Sequence, residues 1–138
     1  TTDFVLEEIT NVEQSTLIKS LIVRKKLYVK EFSVEELLEI SVFKNKQSSN
    51  VSITDCSVWK YAEKNNFVLL TGDGTLRRDA QRSGVKVRGI LFVFDFLVEH
   101  QIITRQCALD KLKELMKGNV RLPKTECERR ISLWAGQL

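Results

Sequence analysis

The chain has 138 residues, 43% hydrophobic and 29% charged, with a formal net charge of +4. This suits a single globular domain over 1–138; no apolar run in these residues reaches transmembrane length and none has a signal-peptide pattern, and a cytoplasmic protein is expected. Cys56, Cys107 and Cys127 form no CxxC pair and leave one thiol over in any disulfide scheme, so a reducing compartment and small buried thiols are expected.

In chain order, 3–9 reads as a short helix. Val12, Leu17, Leu21 and Ile22 mark a second, closed by the basic Arg24-Lys25-Lys26. Leu27-Tyr28-Val29 reads as a short strand. Ser33-Val34-Glu35-Glu36 carries a helix-start signal, and Leu37, Leu38, Ile40 and Val42 continue that helix. The polar 45–50 is a loop. Ser52 opens another helix, with Val58, Trp59 and Ala62 at spacings of three and four. A strand follows over 67–71, a short helix over 76–82 that Gly84 closes, and a strand over 85–87. The stretch "ILFVFDFLVEH" is apolar nearly all round and predicts a buried helix. An amphipathic helix over 104–117, ended by Gly118-Asn119, and a last helix over 125–134 complete the chain.

Strands separated by helices predict a parallel sheet covered on both faces, with ligands at the carboxyl ends of the strands. Asp73, in "LLTGDG", lies just there. It can cap the next helix or hold a metal or phosphate, and the segment alone leaves both open. Asp55 shares a helical face with Val58, Trp59 and Ala62. It is also placed as N3 of a capping box begun by Ser52. Glu8 ends the first short helix, where a negative charge opposes the helix dipole and calls for a partner, unless it is simply an exposed acid.

Carboxylates from separate elements, meeting at one point, make a site for Mg²⁺ or Mn²⁺. Such an ion can activate water and steady an in-line phosphodiester displacement. Other chemistries lack their residues. His100 is the single histidine and sits at a helix end, against histidine-based triads and zinc sites. No GxGxxG or GxxxxGK[ST] loop occurs. "TGDG" is similar to the last acidic motif of haloacid-dehalogenase-like phosphatases and P-type pumps. Those continue with Asn-Asp, where this chain has Leu76-Arg77, and they need a DxD motif that is absent here.

With the acids in order, "DFVLEEI" and "SITDCSVWKYAEKNNFVLLTGDGTLRRDAQRSGVKVRGIL" together resemble the PIN-domain family of metal-dependent nucleases. Val5-Leu6-Glu7-Glu8-Ile9 is similar to the family's first acidic turn, favouring Glu8 over Glu7. Asp55 with Ala62 matches the second acidic helix, and "LLT-x-D" the third acid, Asp73. Leu76, Arg77, Ala80, Gly84, Val85, Val87 and Gly89 follow the same pattern. The resemblance covers about 1–91 as a core, strongest from Ser52 to Leu91, and 92–138 looks like the helical C-terminal extension of some bacterial members.

The resemblance implies a three-layer α/β/α fold with a central parallel sheet and a helical C-terminal part. It implies a Mg²⁺- or Mn²⁺-dependent ribonuclease, with Glu8, Asp55 and Asp73 as catalytic and metal-binding acids and the Thr71 hydroxyl assisting. Arg77, Arg78, Arg82, Lys86 and Arg88 would meet the RNA backbone, unless they form only a solvated helix and strand edge. The toxin of a toxin–antitoxin pair, with an antitoxin protein and a second copy as partners, is one role it implies. A catalytically inactive nucleic-acid- or protein-binding module is the alternative. Family members open with a central strand carrying a further Asp. The chain begins Thr1-Thr2-Asp3 without Met, and residues upstream of Thr1 are expected in the natural protein.

Overall fold

The computed structural model describes residues 1–118 and 121–136, as an α/β chain weighted heavily to helix. The helices are α1 (Asp3–Glu7), α2 (Val12–Val23), α3 (Val34–Asn45), α4 (Ile53–Asn65), α5 (Gly74–Arg82), α6 (Ile90–Glu99), α7 (Arg105–Gly118) and α8 (Lys124–Trp134). Strand β1 is Leu69–Leu70 and β2 is Val87–Arg88, paired as a two-stranded sheet. The residues form two compact units, one of 1–69 with 78–86, the other of 70–77 with 87–138.

In the first unit, local chemistry sets the helix ends. Ser33 and Glu36 form a reciprocal capping box that starts α3, and Ser52 and Asp55 form another that starts α4. Each satisfies backbone N–H groups that a helix start leaves without intrahelical partners. Asn66, in the left-handed region at φ 53°, ends α4. The α3 and α4 helices pack together over a core of Ile40, Val51 and Cys56, with Phe32 and Phe43 against it. Trp59 is nearly covered, stands edge-on to Phe43 at 4.9 Å, and donates its indole N–H to Ser83 Oγ at 3.0 Å. The N-terminus is tied down by a parallel bridge between Thr2 and Lys30, and by the buried hydroxyl pair Thr2 and Ser57 at 3.0 Å.

The second unit is built on α6, α7 and α8. Leu91, Ala108, Leu109, Leu112, Cys127 and Trp134 form its core. Leu112 is fully covered, and truncating such a leucine to alanine costs about 2–5 kcal/mol. Arg130 on α8 grips Asp95 on α6 bidentately, Nε to Oδ1 at 2.8 Å and Nη2 to Oδ2 at 2.6 Å.

Several expectations need correction. Leu27-Tyr28-Val29 forms no strand; Lys30 alone makes the bridge to Thr2, so the β-favouring triplet lacks a ladder to join. The strands are shorter than expected, and β2 is shifted toward Arg88. The α6 helix is not buried all round: Leu91 is covered, while Ile90, Phe92 and Phe96 are each more than two-fifths exposed. Cys56 and Cys127 are buried free thiols, as expected, but Cys107 is half-buried. Asn119, expected to end α7, lies outside the described residues. Among the described residues, no helix is long and apolar enough to cross a membrane.

Candidate functional site

The turn after β1 is organised around its acid. Thr71 extends the β pairing by donating its N–H to Arg88 O at 3.0 Å. Two residues on, the Asp73 N–H donates to Thr71 Oγ1 at 3.0 Å. The Asp73 carboxylate then caps α5, Oδ1 accepting the Leu76 N–H at 2.7 Å. Asp73 is exposed, and its Oδ2 has no hydrogen-bond partner among the described residues. The cap is therefore real, and it uses one oxygen. A carboxylate has two, so the cap leaves room for a cation.

Arg77 lies one turn into α5. Its backbone N–H donates to Asp73 O at 3.1 Å and its Nη2 to Thr71 O at 3.2 Å. Arg88 is exposed, and its guanidinium stands over the Phe92 ring at 5.7 Å. Thr71, Asp73, Arg77 and Arg88 all belong to the second unit.

Asp55 belongs to the first unit, half-buried in the first turn of α4. Its Oδ2 accepts both the Ser52 N–H and the Ser52 hydroxyl at 2.9 Å. Its Oδ1 has no hydrogen-bond partner among the described residues. Glu8, in the same unit, is the C-cap of α1 and exposed, and its carboxylate has neither hydrogen bond nor ion pair among the described residues. The helices that carry these two acids, α1 and α4, pack together. Arg78, Arg82 and Lys86 are exposed on this unit, with Arg82 Nη1 lying 3.6 Å from Asp79 Oδ1.

Chemically, the three acids are hard oxygen donors with at least one uncommitted oxygen each, and Mg²⁺ or Mn²⁺ takes such oxygens where several converge. Within neither unit, among the described residues, do three His, Cys, Asp or Glu side chains assemble into a metal-binding group. Carboxylate oxygens are the donor type such an ion takes; Glu8 and Asp55 stand in one unit and Asp73 in the other.

A sequence profile of the family described as PIN domain matches residues 1–135, nearly the whole chain. The chain belongs to the PIN-domain family. No curated protein and no solved structure matches it. PIN domains are generally nucleases, which hydrolyse phosphodiester bonds. Arg77, expected at the RNA backbone, has its Nη2 on the Thr71 carbonyl at 3.2 Å, a contact that sequence spacing does not display.

Proposed function

We propose that this PIN domain is an endoribonuclease dependent on Mg²⁺ or Mn²⁺, with Glu8, Asp55 and Asp73 as its acids and Thr71 assisting. The observation that carries this reading is the family match over 1–135, together with the three acids in family order, each keeping a carboxylate oxygen uncommitted. When bound, the ion supplies Lewis-acid stabilisation of a phosphodiester oxygen and a nucleophile at neutral pH. The chain's own part is to present oxygens of fixed aim. The Ser52 box holds the Asp55 carboxyl, and the α5 cap holds that of Asp73. Arg78, Arg82, Lys86 and Arg88 supply positive charge for the RNA backbone.

On this reading, 1–138 form one PIN-like domain of three α/β/α layers, with 1–91 as core and 92–138 as a helical extension. The setting is the bacterial cytoplasm, with RNA as substrate, and an antitoxin protein and a second copy of the chain as partners. A second reading, a PIN-like binding module without catalysis, is favoured by the structural duties that Asp55 and Asp73 already carry as helix caps. Metal-dependent cleavage of RNA separates the two, with Asp55→Asn as control: cleavage lost in the variant supports the nuclease, and RNA bound but uncut by the wild type supports the module.

A further inference from the structure

We propose that Arg77 is a positioning residue that holds the Thr71–Asp73 turn, and so aims the Asp73 carboxylate at a divalent cation. The proposal rests on the reading of Asp73 as a ligand.

Arg77 closes the turn at both ends, its backbone N–H on Asp73 O at 3.1 Å and its Nη2 on Thr71 O at 3.2 Å. The guanidinium occupies a slot left by Gly89. A Cβ on Gly89 would lie 2.5 Å from Arg77 Nη2, closer than real Cβ contacts allow. Gly89 is also the N-cap of α6, a place that suits glycine, but its φ of −116° and ψ of −176° are extended values that any residue adopts, so its backbone does not require one. At the remaining five glycines an added Cβ would meet nothing within 4 Å. Gly89 is therefore the glycine whose missing side chain is filled, and a guanidinium fills it.

The slot is itself part of the turn's anchorage. Arg88, the residue before Gly89, accepts the Thr71 N–H through its carbonyl at 3.0 Å. Thr71 is thus held on its N–H by β2 and on its carbonyl by Arg77, and its hydroxyl accepts the Asp73 N–H. Groups that orient a ligand, without touching the metal, typically change its affinity by about 10- to 100-fold when removed. A guanidinium held in a slot by a backbone carbonyl is a strut, unlike the exposed Arg88.

The test uses the full chain as wild type, Arg77→Ala, Gly89→Ala and the double variant, with Asp73→Asn as the ligand control. Mn²⁺ affinity is measured by calorimetry, and amide exchange of Asp73 and Leu76 by NMR without metal. Arg77→Ala and Gly89→Ala should each weaken Mn²⁺ binding by about tenfold. Both should speed exchange at the two amides. The double variant should be no worse than Arg77→Ala, because the methyl added at position 89 then displaces nothing. The salt dependence of RNA binding should stay unchanged.

Unchanged exchange in both single variants, with Mn²⁺ binding still lost in Asp73→Asn, overturns the role of Arg77 alone. A salt slope reduced by about one in Arg77→Ala, with Mn²⁺ affinity intact, also overturns it and makes Arg77 a phosphate contact. Equal Mn²⁺ binding by wild type and Asp73→Asn removes the ligand reading on which the proposal rests. Should Arg77→Ala fail to fold, Gly89→Ala carries the test, since it displaces only the tip of a flexible side chain.

Discussion

Asp73 caps α5 through Leu76: one carboxylate oxygen, Oδ1, accepts the Leu76 N–H at 2.7 Å, and the other has no hydrogen-bond partner among the described residues. Cap and ligand are thus compatible roles for one side chain, and substitutions can separate them. Asp73→Asn keeps an oxygen for the cap, so stability should stay within about 0.5 kcal/mol, whereas Asp73→Ala should lose about 1 kcal/mol. Both should lose metal-dependent cleavage. Thermal melts beside an RNA cleavage assay check this, and an active Asp73→Asn would leave the acid with capping alone.

Asp55 separates the same two roles from the other partner. Ser52→Ala removes the hydroxyl that accepts the Asp55 N–H and donates to Oδ2. It should cost about 1 kcal/mol through the lost cap. The carboxylate survives, so cleavage should persist at temperatures well below the melt. Asp55→Asn should do the reverse, with near-normal stability and no cleavage. Equal loss of activity in both would show that Asp55 matters only as part of its helix start.

Gly84 ends α5 at φ +90°, in the region that side chains disfavour. Nothing lies within 4 Å of a Cβ placed there, so any penalty is purely conformational. Gly84→Ala should destabilise by about 1–2 kcal/mol in denaturant unfolding. A neutral result would mean that the turn relaxes to negative φ.

Arg130 ties α8 to α6 through Asp95 and also bonds Glu126 Oε2 at 2.9 Å, with only 14% of its side chain exposed. Arg130→Met should cost about 2 kcal/mol, as charged hydrogen bonds are lost and Asp95 is left unpaired. Combined with Asp95→Asn, the loss should be less than additive, and additive losses would mean that the pair does not couple.

Lys30 and Glu36 meet at 2.7 Å. The hydrogen bond from Lys30, and then that from the Ser33 N–H, hold the Glu36 carboxyl below the usual carboxylate range. A lowered carboxyl stabilises the fold above its unfolded pKa of about 4.3. That contribution is lost as pH falls through the lower folded value. Lys30 is raised, chiefly by the same bond, so its share is present below its unfolded value of about 10.4 and lost as pH rises past the folded one. Glu36→Gln should therefore flatten the melting temperature's decline below about pH 5. An unchanged acid limb would show the pair to be without weight.

How far the sequence could be read follows from how local each feature is. Ser52 with Asp55, Ser33 with Glu36, and Gly84 after α5 are decided within four residues, and the text displays them. Leu27-Tyr28-Val29 has the composition of a strand, but a strand needs an edge to pair with, and composition does not supply one. The apolarity of α6 was plain, yet how many of its faces are covered depends on packing, and Ile90, Phe92 and Phe96 stay partly in solvent. The ordered motifs from "DFVLEEI" to "GVKVRGIL" pointed to the family, and the match over 1–135 bears that out. The Arg77 contact could not be read that way, because it joins the turn to Gly89, which stands beyond both α5 and β2 in the chain.

The most direct test of the acid site is RNA cleavage by the wild type and by Asp73→Asn, with Mn²⁺ and with a chelator, melting temperatures being recorded in parallel. Cleavage by the wild type with Mn²⁺, abolished by the chelator and by Asp73→Asn at an unchanged melting temperature, is the predicted result. Cleavage that survives either the chelator or the substitution would contradict the account, as would a wild type that binds RNA and Mn²⁺ and never cuts.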